Sequence, residues 1–227
     1  MPEEMRFPIA TVAMGNLISS GIQAALSGIQ ELGSAIWNLD EATEEYRVAQ
    51  GKLTTAFEAA GYSGDAAQKS YTEFYKILGD TDTATEASQL LAQLAENEQD
   101  ITKWTNIAAG VYGTFGDALP IEGMIESANE TAKVGQVTGS LADALNWVGI
   151  SEDEFNEKLA SCSDESERNR LIMETLSGAY DEASGAFYRN NEALVASREG
   201  QAQLDETLAG LEAEGFQGNI LSLIHIS

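Results

Sequence analysis

The chain has 227 residues, room for one domain or two small ones. Lys and Arg number 12 against 37 Asp and Glu, a net charge of −25, which argues against gripping nucleic-acid phosphates or anionic membrane surfaces and steers the chain toward basic partners. A hydrophobic content of 43% is enough for a packed core and argues against bulk disorder.

Residues 1–7, MPEEMRF, lack the basic stretch and cleavage pattern of a secretory signal. From there almost every segment carries helical periodicity. Proline occurs only at Pro2, Pro8 and Pro120, so most of the chain is free of its helix-breaking effect, and strand-type alternation is essentially absent. The expected fold is all-α: elongated helices and helical hairpins with a compact multi-helix module in the middle.

The first helix is expected over about 9–37. Ile22, Ile29 and Ile36 fall at one heptad position and Ile18, Ala25, Leu32 and Leu39 at the other, an a/d seam. Gly21 and Gly28, followed by Ala35, add a smooth strip that a second helix backbone can approach. Ile18, Gly21, Ile22, Ala25, Gly28, Ile29, Leu32 and Ile36 are therefore the candidate self-association residues. Residues 7–30 carry no formal charge, which keeps a membrane-inserting alternative open, although Asn16, Ser19, Ser20, Gln23, Ser27 and Gln30 interrupt the run.

A second helix is expected over about 40–60, its face stepping through Leu39, Ala42, Tyr46, Ala49, Leu53, Ala56 and Ala60 to a stop at Gly61. A third, about 65–78, offers Tyr71, Phe74, Tyr75 and Leu78 to the core and stops at Gly79. Thr83 and Glu86 fit a capping box ahead of Leu90, Leu91 and Leu94. Asp80 and Asp82 lack the glycine and the distal glutamate of a calcium loop and read as turn and cap residues. The helix over 98–115 carries Ile101, Trp104, Ile107, Ala108, Val111 and Phe115. Its glycine-rich end, GVYGTFGDALP, lacks the GK[ST] of a phosphate loop, and Pro120 fits the first turn of the next helix.

Short helices follow at about 121–133, 140–148 and 151–161, the last with Ser151 and Glu154 as a capping box. Leu119, Ile121, Ile125, Leu141, Leu145, Trp147, Val148, Phe155 and Leu159 are their expected core, with Trp147 packed inside rather than serving as a ligand platform. A long helix starts at Asp164, presents Ile172, Leu176, Ala179, Ala183 and Phe187, and continues, or bends near Gly185 or Asn190, into a polar helix whose apolar positions thin to Leu194, Leu204, Leu208 and Leu211. Such a sparse stripe reads as exposed or partner-seeking. The segments expected are thus 1–39, the apolar N-terminal helix; 40–97, helical; 98–190, the compact module; 191–219, the polar helix; and 220–227.

Residues 221–227, LSLIHIS, are abruptly apolar and uncharged after an acidic, alanine-rich helix. LSLIHI is what a widely used transposon-based sequencing adapter encodes in one reading frame, so 220–227 is expected to be an assembly artefact. His225 is the chain's single histidine. One histidine cannot supply the pair that an HExxH zinc site needs, and without it no Cys–His or Ser–His nucleophile can form. Cys162, the single cysteine, reads as a packing residue. The abundant carboxylates make chance acidic pairs inevitable and read as a solvated face; Asn129-Glu130-Thr131 spells a glycosylation sequon in a chain with no sign of secretion. No catalytic, cofactor-binding or metal residue is singled out, no cofactor is implied, and a non-enzymatic chain is expected.

Four blocks, 37–53 (WNLDEATEEYRVAQGKL), 77–96 (ILGDTDTATEASQLLAQLAE), 116–147 (GDALPIEG to NETAKVGQVTGSLADALNW) and 150–176 (ISEDEFNEKLASCSDESERNRLIMETL), closely resemble tail tape-measure proteins of long-tailed bacteriophages and prophages. The likeness extends over most of 9 to about 215. It implies a structural virion protein whose chain length sets tail length, packed in several copies in the lumen of the tail tube and, before that, in the bacterial host cytoplasm. Its implied partners are itself, the tail tube protein and tail-assembly chaperones, with the host membrane a possible contact on infection and no specific nucleic-acid binding. As a single helix 227 residues would span roughly 340 Å, short for a whole ruler, so a fragment is expected.

Overall fold

A computed structural model describes residues 44 and 46–213. The N-terminal helix over 9–37, its seam residues Ile18 to Ile36, the charge-free run 7–30 and the tail 220–227 lie outside the described residues. The described residues are all-α. Helix α1 covers 46–59. It is followed by α2 (Gly64–Leu78), α3 (Thr81–Leu94), α4 (Glu98–Phe115), a 3-10 turn (Gly116–Ala118), α5 (Ile121–Val134), α6 (Ser140–Trp147), α7 (Glu152–Ala160), α8 (Glu165–Asn190) and α9 (Glu192–Ala213). Val48–Ala202 form one compact unit, so the expected divisions at 97/98 and 190/191 fall inside it. Glu44, Tyr46, Arg47 and 203–213 fall to a second unit, in which α9 continues as helix.

Most helix ends follow from local chemistry. Ser63, Asp80, Asn97, Ser151 and Asp164 each cap a helix start with a side-chain oxygen that accepts a backbone N–H, relieving donors that the first turn cannot satisfy. At the start of α3 Asp80, read from sequence as a turn and cap residue, is the cap, its carboxylate accepting from Thr83 N at 2.9 Å; the expected capping box at Thr83 and Glu86 lies inside the helix instead of at its start. Pro120 stands at the N-cap of α5 rather than in its first turn. The buried Asp100 is bound in place by the N–H of Glu96 at 3.2 Å and the Asn97 amide at 2.9 Å.

The centre of the unit is the pairing of α4 with α8, the most extensive in the fold. The two run parallel, since Gly110 meets Tyr180 and Ser184 while Gly113 meets Phe187. A Cβ on Gly110 would lie 2.5 Å from the Tyr180 carbonyl oxygen and 2.8 Å from its Cβ, so only glycine lets these backbones approach. Ile101, Trp104, Ile107 and Val111 of α4, and Ile172, Leu176 and Tyr180 of α8, are buried. On α8 the stripe runs through Tyr180 and Ser184, leaving the expected Ala179 and Ala183 half-buried. On α1 it runs through Ala49, Leu53 and Phe57 and leaves Ala60 exposed.

Around this pair, α2 packs on α3 and α4, α3 packs on α5, and α5 packs on α6 and α8. The link 135–139 between α5 and α6 is pinned by polar contacts. Ser127 Oγ accepts from Ser140 N at 3.1 Å, Thr131 Oγ1 from Thr138 N at 3.0 Å, and Asn156 Oδ1 on α7 from Val137 N at 2.7 Å.

Two arginines from late helices close the C-termini of early ones. Both α2 and α5 end in a left-handed glycine, Gly79 (φ 73°) and Gly135 (φ 75°), a conformation that any side chain would strain. Arg198 Nη1 on α9 donates to the carbonyls of Ile77 at 2.5 Å and Lys76 at 3.3 Å. Arg168 Nε on α8 donates to the carbonyl of Ala132 at 2.6 Å. A cation here satisfies orphan carbonyls and complements the helix dipole.

Candidate functional site

The surface feature that stands apart lies where the end of α4 meets the end of α6. Trp147, the last residue of α6, is 66% exposed, which overturns its expected place in the core. At about 100° per residue, Leu141, Ala144, Leu145 and Val148 cluster on one face and Trp147 falls about 120° round from Leu141. The helical angle, not the hydrophobic residue type, decides where Trp147 points. Its indole packs edge-on against Phe115, ring centroids 5.1 Å apart at 63°. Phe115, an expected core residue, is only half-buried because α4 ends there.

These rings border a groove of about 450 Å³ lined by Phe115, Ala118, Leu119, Asp143, Asn146 and Trp147. A depression of about 210 Å³ at the same turn is bordered by acidic Asp80, Asp117 and Glu122. Leu119 is buried and roots the turn, whereas Asp117, Asp143 and Asn146 face solvent. The groove therefore combines an aromatic edge, a short apolar floor and a carboxylate one helical turn before Trp147, on a strongly acidic chain.

Elsewhere the polar groups have structural roles. Cys162 is half-buried and its Sγ lies 3.5 Å from the Lys158 carbonyl. Burial first, then the Glu167 carboxylate, push its thiol up, against the pull of Arg168 and Arg170, the opposite of an activated nucleophile. Backbone hydrogen bonding holds Asp164 and Glu167 below their ordinary values: Asp164 accepts from Glu167 N, and Glu167 from Ser163 N at 2.8 Å. Burial pushes Tyr180 up to about 12, and its hydroxyl donates to the Ala144 carbonyl at 2.7 Å. Tyr188 is likewise pushed up to about 12 by burial, with Glu73 adding to it. Asp80 acts as a helix cap, and Asn129 of the sequon is buried. Among the described residues no group of three or more His, Cys, Asp or Glu is placed to hold a metal, and no helix is long and apolar enough to cross a membrane.

No family model, curated protein or solved structure matches this chain.

Proposed function

We propose that this chain is a segment of a phage tail tape-measure protein, a non-enzymatic structural component that helps set tail length. It works by self-association through Ile18, Gly21, Ile22, Ala25, Gly28, Ile29, Leu32 and Ile36 and by contact with tail tube protein and assembly chaperones. The observation that carries this reading is the resemblance in the block 116–147. Its support from the fold is that three of the resembling blocks are neighbours in space. The block 77–96 supplies α3, 116–147 supplies α5 and α6, and 150–176 supplies α7 and the first half of α8; α3, α6 and α8 all pack on α5. A likeness that covers mutually packed helices describes a folded unit better than one scattered over separate helices.

The test is the location of the protein in tailed particles induced from a host carrying the gene. Peptides of 48–202 should appear in purified tails, shielded from added protease until the tubes are opened; tails without them would sink the reading. Light scattering of the full chain, with and without 9–37, checks the self-association: a multimer that becomes a monomer on deletion is expected, and a monomer in both cases removes the seam from the proposal.

A second reading, in which 9–37 inserts into the host membrane during genome delivery, draws on the absence of charge over 7–30. Flotation with liposomes tests it, and equal flotation with and without 9–37 would exclude it.

A further inference from the structure

We infer that the Phe115–Trp147 groove is a docking surface for a basic polypeptide segment, one that lays an arginine or lysine side chain over the Trp147 indole beside Asp143. This holds whether or not the chain is a tape measure. Exposure of 66% leaves most of the indole in water, a cost that core packing does not offset. Phe115 props the ring edge-on, so the indole stands against a partner rather than lying free on the surface. A cation over an indole face is attracted by the ring quadrupole, and tryptophan is the strongest of the aromatic partners. Asp143 and Trp147, four residues apart on α6, share one helix face, so a single guanidinium can reach both the ring and the carboxylate.

The choice of occupant rests on charge. A second copy of this chain carries the same −25 and would bring acidic groups against Asp143 and the neighbouring Asp80, Asp117 and Glu122. Nucleic acid and anionic lipid are repelled for the same reason. A basic protein segment gains from the whole field as well as from the groove, while Ala118 and Leu119 offer its apolar side chains a floor.

The test uses the full chain and a twelve-residue helical peptide of arginine and leucine, with a matched peptide in which glutamate replaces arginine. The indole N–H resonance of Trp147, assigned with Trp147→Phe, should shift on titration with the arginine peptide while that of the buried Trp104 stays. Trp147→Ala should weaken binding about tenfold, Asp143→Asn by a smaller factor, and the glutamate peptide should not bind. Undiminished binding by Trp147→Ala would reduce the effect to general attraction by an acidic surface and overturn the proposal. Equal binding of the glutamate peptide would overturn the charge argument. A Trp147 fluorescence shielded from acrylamide in the free chain would show the groove already covered, by residues 1–43 or a second copy, and would also overturn it. Asp143→Lys, at an exposed position, gives an independent loss of binding should Trp147→Ala fail to fold.

Discussion

Gly110 and Gly178 share one residue type with opposite consequences. A Cβ at Gly110 would strike the Tyr180 carbonyl, whereas one at Gly178, in the middle of α8, meets nothing within 4 Å. Gly110→Ala is therefore expected to destabilise by about 1–3 kcal/mol, because backbone must move to admit it. Gly178→Ala should stabilise by about 0.5–1 kcal/mol through lower unfolded-state entropy. Denaturant midpoints for the pair check both signs. Tyr180 gives a second prediction. Its folded value near 12 lies above the ordinary 10.0, so the stability it contributes is full below about pH 10 and fades as pH rises toward 12. Phenolate absorbance should show Tyr180 ionising above the ordinary tyrosine value, and Tyr180→Phe, which leaves the Ala144 carbonyl unpaired, should cost about 1–2 kcal/mol.

At the level of elements, the arginine closures predict how helices come loose. Arg198→Ala removes the donors to the Lys76 and Ile77 carbonyls and should cost about 1–2 kcal/mol, with amide exchange rising first in the last turn of α2. Arg168→Ala should act in the same way at the end of α5. The start of α8 responds to acid. Asp164 and Glu167 sit below their ordinary values of 3.8 and 4.5, so their stabilisation is present above those values and is lost as pH falls through the lowered ones. Amide exchange at Ser163 and Glu167 should rise below about pH 4 while the interior of α8 stays protected.

Most of these elements can be read from the chain. Capping side chains and left-handed glycines act within a few residues, so 98–115, 140–148, 151–161 and the break near Asn190 are legible almost to the residue. What is not legible depends on partners distant in sequence. The parallel partnership of α4 with α8 rests on Gly110, which looks like a helix-weakening residue until Tyr180 is placed beside it. Arg168 and Arg198 look like ordinary surface cations until the carbonyls they close, 36 and 121 residues away, are known. The groove is hidden for a different reason: hydrophobic bulk argues for Trp147 in the core, whereas its angle on α6 turns it outward.

For the molecule as a whole, charge and packing oppose each other. Val48–Ala202 share one continuous core, so far-ultraviolet dichroism and Trp104 fluorescence should report one coincident unfolding transition. A net charge of −25 repels itself. Raising salt from about 0.01 M to about 0.15 M, where the screening length falls from ~30 to ~8 Å, should therefore raise the melting temperature. A fall would mean that ion pairs such as Lys76–Glu73, at 2.9 Å, outweigh the repulsion.

The parallel seating of α8 on α4 also sets a schedule for synthesis. About 50 residues separate the end of α4 from the start of α8. Tyr180 and Ser184, which fill the furrow at Gly110, come 70 and 74 residues after it, so at ~5–20 residues per second the furrow leaves the ribosome roughly 4–15 s before they do. During that interval the face carrying Gly110 and Gly113 has no lid, and the nascent chain presents it to whatever binds first. Its risk of aggregation is therefore concentrated in a brief window of translation, and slowing elongation between codons 116 and 190 should lower the soluble yield more than the same delay after codon 190.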